Sequence, residues 1–147
     1  MTQRFGLPAL VIVSAAVGAG LVTVYRAAPT PVQPVACRAG SASMARVELL
    51  FGLGKRDGGT VSDADWAAFL DAEVTPRFPA GLTVFSAYGQ WRGEAGPLTK
   101  EASRVLLVWY APAPDSEHKI EAIRTAYRER FSQDSVMRVD GRSCVSF

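Results

Sequence analysis

Between Phe5 and Tyr25 the chain carries no charged residue, with Arg4 before the run and Arg26 after it. As an α-helix this stretch is ~30 Å long at about 1.5 Å per residue, the thickness of a bilayer's hydrocarbon core. The remainder of the chain is therefore expected to be exported or tethered at a membrane. Two fates compete for the segment. A cleaved signal peptide needs a short apolar run and small residues at the cut, and Ser14-Ala15-Ala16-Val17-Gly18-Ala19-Gly20 offers them. An uncleaved anchor needs the run to continue, which it does through Leu21-Val22-Thr23-Val24-Tyr25, and the spanning length favours the anchor. Arg26 and Arg38 follow the segment, so charge bias across it is small. Export of the larger part rests on the N-terminal position of the run and on the cysteines.

Cys37 does not read as a lipid-attachment site. It lies well past Arg26 in a polar linker, and Pro34 is wrong for the small-residue box such a site needs. Residues 1–26 are thus expected to be a signal anchor or signal peptide, 27–44 a Pro-rich linker and 45–147 a folded domain. The three prolines of Ala27 to Pro34 keep the spacer extended.

The 147-residue chain leaves roughly a hundred residues for that domain, enough for one core. The mean hydropathy of +0.10 is inflated by the first segment. Beyond it, charges of both signs are mixed. A net charge of +2 with no basic stripe argues against nucleic-acid binding, which needs clustered Lys and Arg. The two cysteines, Cys37 and Cys144, stand at opposite ends of the domain. An even count in an exported protein favours a disulfide, although two cysteines alone do not fix pairing.

Ala45 to Leu53 alternates, with Ala45, Val47, Leu49, Phe51 and Leu53 on one side and Arg46, Glu48, Leu50 and Gly52 on the other, which predicts a strand with one apolar face. Ser62 with Asp65 predicts a capped helix, its stripe formed by Trp66, Phe69, Leu70 and Val74 and its end set by Pro76. Leu82 to Arg92 reads as a second strand and Gly93 to Lys100 as a loop. Arg104 to Ala111 reads as a third strand, whose unbroken apolar run Val105 to Tyr110 predicts cover on both faces. A second helix is expected from about Ser116, with Ile120, Ile123, Tyr127 and Phe131 buried. A last strand region spans Ser135 to Phe147, with a hairpin or bulge at Asp140-Gly141.

The order β-α-β-β-α-β with right-handed crossovers predicts an α+β, ferredoxin-like sandwich. Both helices then lie on one face of an antiparallel sheet, and the last strand runs beside the first. That arrangement draws Cys37 toward Cys144.

Glu48-Leu49-Leu50-Phe51-Gly52, Val61-Ser62, Trp66, Phe69, Val74-Thr75-Pro76-Arg77-Phe78-Pro79-Ala80-Gly81-Leu82-Thr83-Val84, Gly89-Gln90-Trp91-Arg92 and the closing Cys144-Val145-Ser146-Phe147 resemble a bacterial family catalogued as domain of unknown function 3574. The resemblance covers about Ala45 to Phe147. It implies a secreted or envelope protein, often a lipoprotein, and supplies no reaction and no catalytic residues.

The chemistry-bearing residues are sparse. Gly52-x-Gly54 is followed by Asp57 where a dinucleotide pattern needs glycine, so a plain turn is expected there. One histidine, His118, with paired cysteines leaves too few ligands for zinc or copper, and no nucleophile motif accompanies it. No metal, cofactor or catalytic residue is assigned. Arg77 is expected to cap carbonyls at the end of the first helix rather than bind an anion. The sharper candidate is the sheet face away from the helices. Strand one offers Arg46, Glu48 and Leu50 there; strand two offers Tyr88, Gln90 and Arg92, or else Trp91, according to register. These residues are candidates for binding a small polar-aromatic ligand. The competing reading is an Arg46 ion pair, with Glu48 or near Arg92, and aromatic packing at a homodimer interface.

Two functions follow as expectations. One is a non-enzymatic envelope domain, anchored at the inner membrane through residues 5–25 and facing the periplasm, or secreted if cleaved, that self-associates or binds a partner through its open sheet face. The other is a cofactor-free enzyme or small-ligand carrier built as a dimeric α+β barrel. Arg46, Glu48, Tyr88 and Arg92 would line its cavity, with Glu48 as general base.

Overall fold

The alternation in the first strand is realised in full. β1 (Ala42–Gly52) buries Val47, Leu49 and Phe51 to 1% exposure or less, while Arg46, Glu48 and Leu50 on its other side remain half-buried. The computed structural model describes residues 36–147 apart from 93 and 95. The expected membrane segment 5–25 and the spacer 27–34 lie outside the described residues. Among the described residues no helix is long and apolar enough to cross a membrane. β1 begins at Ala42, inside the stretch expected to be linker.

β1 is followed by α1 (Asp63–Phe69), β2 (Thr83–Arg92), β3 (Leu98–Tyr110), α2 (Ser116–Phe131) and β4 (Met137–Val145). The fold is α+β, with a four-stranded sheet of order β2-β3-β1-β4 in which every neighbouring pair is antiparallel. β4 lies beside β1, as the crossover argument requires.

Ser62 caps α1. Its hydroxyl accepts from the Asp65 amide at 3.1 Å, and the Asp65 carboxylate accepts from the Ser62 amide. The helix then widens into a π-helical turn, Leu70–Val74, closed by the Thr75 amide donating to the Leu70 carbonyl at 2.9 Å, with Val74 fully buried. Both helices cover the same sheet face. Phe51 meets Trp66 and Phe69 of α1 at 5.1 and 6.0 Å and Tyr127 of α2 at 4.6 Å between ring centroids, each edge-to-face. The Tyr127 hydroxyl donates to the Gly52 carbonyl at 2.9 Å, and burial pushes that phenol above its ordinary pKa.

Three expectations about strands are corrected. β3 begins at Leu98 rather than Arg104, because β2 and β3 form a long hairpin paired from Thr83↔Leu107 to Arg92↔Leu98. The apolar run of β3 is central in the sheet but covered on one face only: Leu106 and Val108 are 1% exposed and Trp109 36%. Both helices lie on the Leu106 side, so the other row has no layer of this unit over it. At Asp140-Gly141 there is neither hairpin nor bulge. Asp140 pairs with Val47 and Gly141 with Arg46 in unbroken register, since β1 supplies ladder partners along the whole of β4.

Arg138 ties β4 to α2, reaching Glu117 at 2.6 Å, Glu121 at 3.0 Å and Asp140 at 2.9 Å. Cys37 and Cys144 form a disulfide with their Cα atoms 5.4 Å apart and a sequence separation of 107. By chain entropy a loop of about that length is worth ~4.7 kcal/mol. Disulfides persist in oxidising, exported compartments. Arg38 donates to the Ser146 hydroxyl at 2.8 Å, adding a second tie between the two ends of Cys37–Phe147.

Candidate functional site

The face of the sheet opposite the helices has no helix of the described residues over it. Because side chains alternate along each strand, the register fixes its membership. β1 contributes Arg46, Glu48, Leu50 and Gly52. Across from these lie Trp109, Leu107, Val105 and Ser103 of β3 and, beyond Arg46, Glu48 and Leu50, Gly141, Val139 and Met137 of β4. β2 contributes Thr83, Phe85, Ala87, Gly89 and Trp91. Five of the eight exposed large hydrophobics among the described residues are on this face: Phe85, Trp91, Trp109, Met137 and Val139, at 36 to 61% exposure.

Arg46 and Glu48 form an ion pair in the midst of these apolar side chains, beside Trp109 on one flank and Val139 on the other. Tyr88, Gln90 and Arg92 do not join them. Val84 stands opposite the buried Leu106, which sets the even-numbered residues of β2 on the helix side. Tyr88, Gln90 and Arg92 follow it there, on the part of the hairpin where all three are exposed. Within one chain they cannot line a cavity with Arg46 and Glu48; of the β2 candidates, the one that shares the open face is Trp91.

Sequence reasoning passed over Glu101, which falls between an expected loop and an expected strand. It sits on the open face opposite Gly89. Its carboxylate accepts from the Gly54 amide at 3.2 Å and from the Trp91 indole N–H at 3.3 Å. A Cβ on Gly52 would lie 2.7 Å from the Glu101 Oε2, so glycine is required there for the carboxylate to lie across β1.

The remaining candidates take structural roles. The Arg77 guanidinium donates to the Glu73 carbonyl at 2.5 Å and pairs with the Glu73 carboxylate at 2.9 Å, capping the helix end as expected. A shallow pocket of about 300 Å³ near it is lined by Phe78, Tyr110, Ser116 and Lys119, but Lys119 is already paired with Asp115 at 3.0 Å. His118 is exposed in the first turn of α2. The Gly54 region is a tight turn, with the Lys55 amide donating to Gly59 and Gly58 at a φ of +87°. Among the described residues no three His, Cys, Asp or Glu side chains are grouped to hold a metal ion.

No curated protein matches this chain at a significant level. Among solved structures it is similar to a phage SAM lyase in complex with S-methyl-5'-thioadenosine, at 15% identity and a TM-score of 0.55, over 79% of this chain and 97% of that one. The apo state of a phage SAM lyase is similar at 16% identity and a TM-score of 0.47, over 78% and 97%. At such identities the likeness is one of fold. The family described as "Protein of unknown function (DUF3574)" matches residues 46–147, which take in both helices and the whole sheet except the start of β1 before Arg46, and the chain belongs to that family.

Proposed function

We propose that this is an envelope domain of ferredoxin-like topology, held at the membrane by residues 5–25, whose open sheet face is a self-association surface. The strand order and the placing of both helices on one face support the topology. The uncharged N-terminal run and the Cys37–Cys144 disulfide support the location. One observation carries the functional reading: an exposed apolar face with Arg46 and Glu48 paired at its centre. A two-fold axis through such a face sets Arg46 of one copy against Glu48 of the other. The surface is then complementary to itself, and both charges keep partners when covered. Sedimentation of the full chain in mild detergent tests this. Concentration-dependent association is expected, and it is lost in Phe85→Ser/Val139→Asp; a strict monomer at every concentration overturns the reading.

A second reading is a cofactor-free enzyme or small-ligand carrier, with Arg46 and Glu48 from one copy and Tyr88 and Arg92 from another around the ligand. It is favoured by the fold likeness to a lyase solved with S-methyl-5'-thioadenosine bound. Addition of that nucleoside should then raise the melting temperature by mass action. No shift with it or with a broad metabolite library removes this reading.

A further inference from the structure

Glu101 is the one carboxylate on the open face whose described contacts include no cation, since Glu48 is paired with Arg46. Its two oxygens each accept one neutral N–H, from Gly54 and from Trp91, at distances toward the long end of hydrogen bonding. An ionised carboxylate has about four acceptor positions, so acceptor capacity is left over. No other side chain among the described residues is hydrogen-bonded to the carboxylate. Gly89 is the partner on β2, Gly52 and Gly54 lie on the β1 side, and the next cross-strand row is Ala87, Ser103 and Gly52.

Along β2 the open-face sequence is Phe85, Ala87, Gly89, Trp91. Two aromatic residues therefore bracket two small ones over a Cα span of about 20 Å, at ~3.3 Å per residue. Between them the surface is made of glycine, alanine and serine, with the Glu101 carboxylate lying across it and the exposed Trp91 indole beside it. A cation bound to the carboxylate there lies alongside the exposed indole that donates to it. A strongly hydrated inorganic ion has no use for the indole. An ammonium carrying alkyl groups uses both the carboxylate and the indole.

We propose that Glu101 and Trp91 form a binding site for a small organic cation with an apolar body, of the alkylammonium class. The site rests on the open face being a binding surface, and a second copy docked on that face would roof it. The test uses the full chain, titrated with choline and with its neutral isostere 3,3-dimethylbutan-1-ol and read by tryptophan fluorescence, with sedimentation of the same samples. Choline is expected to bind at least ~10-fold tighter than the alcohol, the scale of a partly desolvated cation–π contact. Glu101→Gln should erase that difference with circular dichroism unchanged. If Glu101→Gln fails to fold, Trp91→Leu serves in its place, read by titration calorimetry because the reporting indole is gone, and should weaken choline alone. Equal binding of the two probes, no choline binding to the native chain, or undiminished preference in the variants overturns the site. A monomer that prefers choline overturns the interface and keeps the site; an associating chain without preference does the reverse.

Discussion

The two faces of the sheet are built from the same four strands, yet they differ in what finishes them. On one face Val47, Leu49 and Phe51 meet Leu106, Val108, Ile120, Ile123 and Tyr127, all at 1% exposure or less. One residue along in β1, Arg46, Glu48 and Leu50 look outward with Trp109, Phe85, Met137 and Val139 around them. The apolar content of the two rows is not very different; the helices are. Both α1 and α2 close over the Phe51 side, so the hydrophobic gain of the domain is taken there. The other face keeps apolar side chains that add little to the stability of the single domain, which is why they are read as belonging to an interaction.

The strongest way to sharpen this contrast is to make the same truncation on each side. Phe51→Ala removes the ring at the centre of the aromatic cluster and is expected to cost about 3–5 kcal/mol, measured from the urea midpoint. Phe85→Ala, at 51% exposure, is expected to cost less than about 1 kcal/mol and to act on association instead. Equal costs at the two sites would mean that the open face is packed in the isolated domain, and the comparison would fail.

Next in size is the bridge. Replacing Cys37 and Cys144 together by Ser is expected to lower stability by about 2–5 kcal/mol. Mass spectrometry of non-reduced digests from the native chain should recover the two cysteines linked. β4 would still pair with β1 without the bridge, so the variant separates covalent from packing contributions at this edge.

The smallest effect concerns the ion-pair cluster joining β4 to α2. Hydrogen bonds from Arg138 hold the Glu117 carboxyl below its ordinary pKa, and those from Arg124 and then Arg138 do the same for Glu121. A depressed folded pKa contributes stability that is fully present above the unfolded value, about 4.3, and is lost as pH falls from there through the lower folded value. The melting temperature should therefore decline from pH ~5 downward, and Arg138→Met should show a shallower decline. Identical acid profiles would remove the cluster from the account. Glu117 and Glu121 are largely in solvent, so the difference is expected to be small.

Much of the helix-covered half was legible in the chain because its signals are local. Alternation in β1, the Ser62–Asp65 cap and the stripe Ile120, Ile123, Tyr127, Phe131 each occupy one element and need no distant partner to be read. Element order with handed crossovers then put β4 beside β1 and the two cysteines near each other, and the disulfide follows. The open face was not legible to the same depth. Whether Tyr88 or Trp91 faces outward depends on one residue of register in β2, and that is settled by Val84 meeting Leu106 across the sheet. Gly52, Gly54 and Gly89 each look like an ordinary turn or strand glycine in the sequence; only three-strand pairing sets them around Glu101. What the amino-acid order determined by itself is the set of elements and their buried stripes, because burial periodicity is written within each segment. What tertiary structure alone decided is which exposed side chains meet, because those neighbours come from strands far apart in the chain and their register is a property of the assembled sheet.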